Sequence, residues 1–484
     1  MIRCETVQLN SFRMIPELLR KRYWKQFAAV NSVHLITIAY GVTLGWTAPI
    51  IPILQSAHTP LQSGPITVTE ASWVGASLAI GGMTGSVVFA LLHKKYGKKA
   101  GLIMLAIPHL ILWSLLWAGD HIYYIYVARV LSGLTGGGVI TIVPLFVTDI
   151  AERKIRGALG SLTILHINIG VLAAFASGSY LPYYLVPKIM LCLPIAFLVF
   201  VCLLPETPYC LLRKGRTDEA EHSLMFYRNI TDATKKTIAF DCEFENMKSF
   251  TEAETHAEKL TLNDFKSRAA FRALFISVFV MALNQFSGIL AILMYAGTIL
   301  LAAGTPVESK YTLILLPLIN ICGNFTSFAI IDKAGRKVFL LTSTIGVGVS
   351  LGMLGLHSYY ADSSYAEDYS WVPVLCMCTT MYTAALGITN VPFFIIPEIL
   401  PAKLRNVGNT ISFVLLCAFA FITTKAFPIL LDTIHIYGTV WISSGVCAFG
   451  ALVIIFLMPE TKGKNLFVED CKEGNKEKVN CPKE

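Results

Sequence analysis

PETPYCLLRKGRTDEAEHSLMFYRNITDATKKTIAFDCEFENMKSFTEAETHAEKLTLNDFKSR, residues 205–268, is the long polar interruption in an otherwise apolar chain. Roughly six hydrophobic runs precede it and roughly six follow, each about 20 residues or a little longer. At ~1.5 Å per residue such a run crosses a hydrocarbon core of about 30 Å. Pro205-Glu206-Thr207-Pro208 opens the stretch, and Pro459-Glu460-Thr461-Lys462 follows the last apolar run. One punctuation closes both halves, so the stretch reads as the hinge of an internal duplication.

The expected fold is therefore all-α, with twelve membrane-crossing helices in two halves of six. The spans expected are 28–54, 71–92, 100–118, 121–148, 157–179 and 184–204, then 270–302, 311–331, 338–360, 370–397, 406–430 and 433–458. Residues 1–27 form a tail, 28–204 the first half and 205–269 the central loop. The second half is 270–458, and 459–484 form a second tail. Stretches such as Thr217–Arg228 predict short amphipathic helices in the central loop, bracing the bundle. A composition of 55% hydrophobic and 14% charged residues, with mean hydropathy +0.61, belongs to a polytopic membrane protein and excludes soluble domains. Residues 1–26 have no apolar core of their own, so the first helix is expected to direct insertion.

Charge sets the orientation. Of 39 Lys and Arg residues, 35 fall in the tails and alternate loops on one face. The exceptions are Lys188, Lys310, Arg129 and Lys425. By the positive-inside rule the rich face is cytoplasmic, with both termini and the central loop inside. The net charge of +8 is thus a topology signal, and no nucleic-acid partner is expected. The longest outer loops are expected at 55–70 and 361–369. Sequons at Asn229 and Asn324 fall in the cytoplasmic loop and mid-helix, so neither should carry glycan. The 12 cysteines are scattered, and Cys376 and Cys378 read as packing residues rather than a disulfide or metal site.

Three charged motifs recur between the halves. Lys94-Lys95-Tyr96-Gly97-Lys98-Lys99 is echoed by Asp332-Lys333-Ala334-Gly335-Arg336-Lys337. Asp149 with Arg156 is echoed by Glu398 with Arg405, each pair seven residues apart; the third is the Pro-Glu-Thr punctuation with Glu206 and Glu460. The offsets are 238, 249 and 254 residues (94 to 332, 149 to 398, 205 to 459). A Gly between cations permits a tight turn between two helices. Carboxylates and Arg at adjoining helix ends form charge-assisted hydrogen bonds. Such pairs can close one end of a bundle in one state and break in another.

Together these motifs resemble the sugar porter family of the major facilitator superfamily, and most closely the facilitated trehalose transporters. Further matching stretches are Thr69-Glu70-Ala71-Ser72-Trp73-Val74-Gly75, Lys154-Ile155-Arg156-Gly157-Ala158-Leu159-Gly160 and Phe286-Ser287-Gly288-Ile289. Near the C-terminus, Pro397-Glu398-Ile399-Leu400-Pro401-Ala402-Lys403 and Pro459 to Lys464 match as well. The resemblance covers roughly residues 28–465. It implies two six-helix halves rocking about a central site, each containing inverted three-helix repeats. It also implies gating roles for Asp149, Arg156, Glu398, Arg405, Asp332, Arg336, Glu206 and Glu460, and an anchoring role for Arg129.

The departures from that family are specific. Lys94 stands where its loop acid belongs, and Lys98 and Lys99 replace arginines. Asp149 replaces a Glu, Tyr209 replaces an Arg, and Asn406 replaces a Gly. Lys lacks the bidentate fork of Arg, so the first-half gate is expected to be weaker than is typical of the family. A sugar site needs two-way hydrogen-bonding groups beside an aromatic face. The resemblance places Gln285, Asn284, Asn320 and Phe393 there. Its fifth-span Gln falls on Ile164, its seventh-span Asn on Leu290, and an eleventh-span Asn-Trp pair on Leu416-Cys417. Asn390 and Thr389 replace a small Pro and Gly near Phe393, and Asn168, His166 and Asn390 are the polar residues left to compensate. The expected cavity is unusually apolar.

All 31 acids fall in loops, tails or span ends. Proton-driven carriers need an ionisable group inside the bundle, so passive uniport is expected, with His34 the one first-span titratable group. No Walker-type phosphate loop, catalytic triad or metal-ligand spacing is present, so neither an enzyme, a cofactor nor a bound metal is expected. The expected activity is facilitative transport of a small sugar, hexose or trehalose, by alternating access. The chain would work as a monomer in the cell membrane, with no retention signal at Cys481-Pro482-Lys483-Glu484. Two alternatives stay open: a carrier of a less polar, non-sugar solute, and a non-transporting membrane sensor on the same fold.

Overall fold

The computed structural model describes residues 23–152, 154–231, 237–255, 264–265, 267–303, 309–360, 369, 371–401 and 403–458. Regular structure among them is helical. Eleven helical runs are long and apolar enough to cross a membrane. The last, Arg405–Leu457, contains His435 at φ 57° and ψ −179°, which no helix interior holds. It is two crossings joined end to end, and the break falls within a few residues of the expected boundary. The twelve crossings flank the polar stretch, six on each side. The tails, the loop 361–368, the Asp332 side chain and Glu460 lie outside what is described.

By its contacts the chain divides into two compact units. The first runs through Glu258 and takes in Leu293–Leu301 and Val307–Ile321. The second comprises Lys259–Ile292, Ala302–Pro306 and the chain from Cys322 onward.

Small residues set the packing of the first unit. Lipid offers no hydrophobic drive between helices, so close backbone approach supplies the attraction. Val68–Tyr96 crosses Ile122–Ile150 at Gly81 and Gly133. A Cβ on Gly81 would overlap the Val130 carbonyl, and one on Gly133 the Leu78 carbonyl. Trp24–Gly45 meets Arg156–Tyr180 in the same reciprocal way, at Gly41 against Ile167 and Gly170 against Ile38. The 68–96 helix starts on a capping box: Glu70 N–H donates to Thr67 Oγ1 at 3.2 Å and Thr67 N–H to Glu70 Oε2 at 2.8 Å.

The central stretch folds on the first unit as Pro208–Arg213, Thr217–Tyr227 and Ile238–Thr255. Leu211, Leu224, Met225, Phe240, Phe244 and Met247 form a core of their own there, with Tyr209 packed against it. The residue replacing the family Arg is thus part of an apolar cluster. Arg228 ties the assembly down: it donates to Glu243 at 2.6 and 3.0 Å, to the Ile150 carbonyl at 2.8 Å, and lies 3.7 Å from Glu152.

Candidate functional site

Two crossings of the second unit are broken, and the breaks meet. The seventh runs as Arg268–Phe286, pauses at Ser287 and Gly288 (φ 77°) and resumes as Ile289–Met294. The tenth stops at Leu386 and restarts at Val391. Unwound backbone at membrane depth must find partners within the protein. Asn284 Nδ2 donates to the Ile388 carbonyl at 2.6 Å, joining one break to the other. Ser327 Oγ donates to Leu386 O at 2.7 Å and Asn390 Nδ2 to Ala385 O at 2.7 Å. Ile388 N–H donates to Ser343 Oγ at 2.8 Å, and that hydroxyl donates to Thr383 O at 2.6 Å.

The amides at the breaks form two pairs. Gln285 Nε2 donates to Asn284 Oδ1 at 2.9 Å, and Asn390 Nδ2 reaches Asn324 Oδ1 at 2.5 Å. Among the described residues three buried oxygens at these breaks find no partner: Gln285 Oε1, Thr389 Oγ1 and Asn390 Oδ1. An unmet buried acceptor costs about 1–3 kcal/mol. The cluster therefore favours a ligand that brings hydrogen-bond donors. Phe393 follows one turn on, partly buried, with its N–H on Asn390 O at 3.2 Å. Leu416 and Cys417 are buried and Leu290 partly so; Leu416 and Leu290 are apolar at positions where the resemblance expects amides. Asn320 is buried on Ser309–Ala334. Asn324, the mid-helix sequon residue, is buried too.

The first unit holds a polar group of its own. His34 Nδ1 faces the Val30 carbonyl at 2.6 Å, so Nδ1 carries the proton and Nε2 accepts from Thr163 Oγ1 at 3.0 Å. His166 lies 4.6 Å from His34 between ring centres with the rings tilted by 38°, its Nδ1 on Leu162 O at 2.7 Å. Asn168 Nδ2 donates to Ile164 O at 2.9 Å, within its own helix. Arg129 is buried with its Nε on Val74 O at 3.0 Å and Nη1 on Thr43 O. It anchors two neighbouring helices through their carbonyls.

The basic end carries the charged motifs. Gly97 and Gly335 take φ 108° and 96°, left-handed turns that a Cβ would strain. Lys98 Nζ meets Asp149 Oδ2 at 2.6 Å with both side chains about nine-tenths buried. Glu206 accepts from the Lys99 and Thr207 N–H groups, each at 3.0 Å. Arg336 and Glu398 stand 3.3 Å apart and are more exposed, at 19% and 36%. The first-half contact is the shorter and the more buried of the two: Lys98 makes it without a fork, and short helix-to-helix geometry with partial burial strengthens a single contact. Arg156 reaches back to Ala151 O at 3.5 Å rather than to Asp149. Arg405 is exposed and makes no ion pair among the described residues. Sequence reasoning missed the clamps Ser327, Ser343 and Arg228; the isolated hydroxyls and one loop Arg carry no pattern to find them by.

Paired six-helix halves with broken seventh and tenth crossings define a major facilitator fold. The E. coli xylose transporter XylE in its inward open conformation is similar at TM-score 0.73 and 18% identity, over 92% of this chain and 99% of that one. A partially occluded inward open form of XylE gives 0.72 and 20%, over 91% and 99%. The chain belongs to the sugar (and other) transporter family, whose model matches residues 26–469. Among curated relatives, the facilitated trehalose transporter of Bombyx mori is 29% identical over 447 residues, 92% of this chain and 86% of that protein. The Aedes aegypti trehalose transporter is 29% identical over 445 residues, and this chain spans about half (54%) of its length.

Proposed function

We propose that this chain is a facilitative carrier of a small sugar, hexose or trehalose, working by alternating access as a uniporter. It is a carrier and not an enzyme. Its place is the plasma membrane, as a monomer with both termini and the 205–269 loop cytoplasmic. The single observation that carries the reading is the trio of unmet acceptors, Gln285 Oε1, Thr389 Oγ1 and Asn390 Oδ1, at the joined helix breaks. A polyol supplies one hydroxyl donor to each, with Phe393 as the stacking face. Asn284 positions Gln285 rather than reaching a ligand by its nitrogen. Asn320, Asn168 and His166 are further proposed substrate-binding residues. The names of the trehalose-transporting relatives support the substrate class, and the acid-free spans support passive transport.

Lys98–Asp149, Glu206 with the Lys99 backbone, and Arg336–Glu398 are the proposed cytoplasmic latches; Arg156, Arg405, Asp332 and Glu460 are assigned to the same gate. One observation favours a second reading. Ile164, Leu290, Leu416 and Cys417 are apolar, which fits a carrier of a less polar, non-sugar solute or a non-transporting sensor. Surface-normalised uptake of labelled glucose and trehalose, with Gln285→Ala alongside, decides. Saturable uptake that resists a proton uncoupler and is lost in Gln285→Ala supports the sugar uniporter. A well-expressed surface protein that takes up neither sugar overturns it in favour of the second reading.

A further inference from the structure

The basic end of the first unit carries more charge than its latches use. Lys98 is held by Asp149, and the Glu206 carboxylate faces inward to the backbone of residues 99 and 207. Arg216 is paired with Glu219 at 2.5 Å. Lys94 and Lys95 are exposed and form no ion pair among the described residues. Exposed Lys214 brings its ammonium to the Tyr96 carbonyl at 3.0 Å, and Lys95 Nζ sits 5.1 Å from the centre of the exposed Tyr96 ring. Among the described residues the Lys95 and Lys214 ammonium groups thus meet at Tyr96 without an acid partner, and Lys94 stands two residues before it on the same helix.

The helix leading to them is apolar on the same side. Val87, Val88 and Leu91 are exposed at 44%, 42% and 64%, and Leu91 lies one turn before Lys94 and Lys95. Residues at i, i+3, i+4 and i+7 share a helix face. On a membrane-crossing helix, exposed aliphatic side chains face acyl chains. The same stripe therefore runs from hydrocarbon to ammonium groups within about two turns, the order of a phospholipid from tail to headgroup. Free lysines at that depth attract anionic headgroups.

We propose that Lys94, Lys95 and Lys214 form a binding site for the phosphate-bearing headgroup of an anionic phospholipid, with Val87, Val88 and Leu91 seating its acyl chains. Tyr96, amphipathic and exposed at the same level, borders the headgroup. The occupant is a lipid rather than free phosphate, because the aliphatic stripe is continuous with the charges. Lys94, standing where the family carries an acid, is what turns this corner from mixed to positive.

The test reads binding, so it does not depend on what the chain transports. The full chain is purified, incubated with mixed micelles of phosphatidylcholine and phosphatidylserine in equal amounts, and washed; the co-purifying phospholipids are then quantified by mass spectrometry. Wild type is expected to retain phosphatidylserine preferentially. Lys94→Gln/Lys95→Gln should lower that preference roughly tenfold, from the loss of two headgroup charges. Lys94→Arg/Lys95→Arg should keep it, and raised salt should weaken it. Both pairs are exposed, and the Arg variant controls for folding. Equal retention in wild type and the Gln variant overturns the proposal. Full displacement by inorganic phosphate would also overturn it, as the site would then belong to a soluble anion.

Discussion

Gln285 and Asn284 divide one task between adjacent amides. Asn284 spends its nitrogen on the Ile388 carbonyl and its oxygen on Gln285, which leaves Gln285 Oε1 open. Thr389 and Ser343 are a matching contrast one element away. Thr389 Oγ1 has no partner among the described residues, whereas Ser343 Oγ joins the Ile388 N–H to the Thr383 carbonyl. Thr389→Val removes a hydroxyl at nearly constant shape, so little stability is at stake. It should raise the KM for sugar uptake several-fold, the equivalent of about 0.5–1.5 kcal/mol for one hydrogen bond, with surface level unchanged. Ser343→Ala leaves a buried N–H and a buried carbonyl unmet, at about 1–3 kcal/mol each. It should lower the melting temperature of the purified chain before it changes KM. Equal effects on KM from both variants would remove Thr389 from the ligand's side of the cluster.

At the scale of elements, the sequence announced what local chemistry determines. Gly97 and Gly335 turn the two charged motifs through positive φ, as a Gly between cations suggests. The Thr217 helix begins where Thr-Asp-Glu stands. The helix breaks at Gly288 and at residues 387–390 were not legible as such. The run from Thr383 to Phe393 reads as apolar helix, and only partners on other helices make its unwinding affordable. Arg228 was hidden for the same reason, as its value lies in distant Glu243, Glu152 and the Ile150 carbonyl. Removing it should release the element it holds. Arg228→Ala is expected to speed amide hydrogen exchange through residues 238–255 by roughly tenfold or more, since charge-assisted bonds contribute about 1.5–3 kcal/mol. Arg228→Lys should recover part of this and no more, for want of the fork that meets both carboxylate oxygens. Unchanged exchange in the alanine variant would show that the 211–247 apolar core holds the loop without the clamp.

Over the whole molecule the duplication supplies two latches of unequal quality, Lys98–Asp149 at 2.6 Å and Arg336–Glu398 at 3.3 Å. A latch that exists in one conformation alone shifts the balance of states by its own free energy, and so acts on rates more than on ligand affinity. With both side chains partly buried, the first pair should contribute more than the ~0–1 kcal/mol of an exposed contact. Asp149→Asn is therefore expected to change the maximal rates of influx and efflux by unequal factors, up to about tenfold for ~1.4 kcal/mol. A uniporter couples to no other gradient, and a change in the balance of its own states cannot create a driving force. Whatever Asp149→Asn does to each maximal rate, the ratio Vmax/KM must remain equal for influx and efflux. Measuring both directions in sealed vesicles, in wild type and variant, tests the latch and the uniport mechanism separately. Unaltered rates with equal ratios would leave a uniporter whose latch lies elsewhere. Unequal ratios, or sugar accumulated beyond its external concentration, would mean that a second gradient drives the cycle, and the buried His34 and His166 would be the groups to examine.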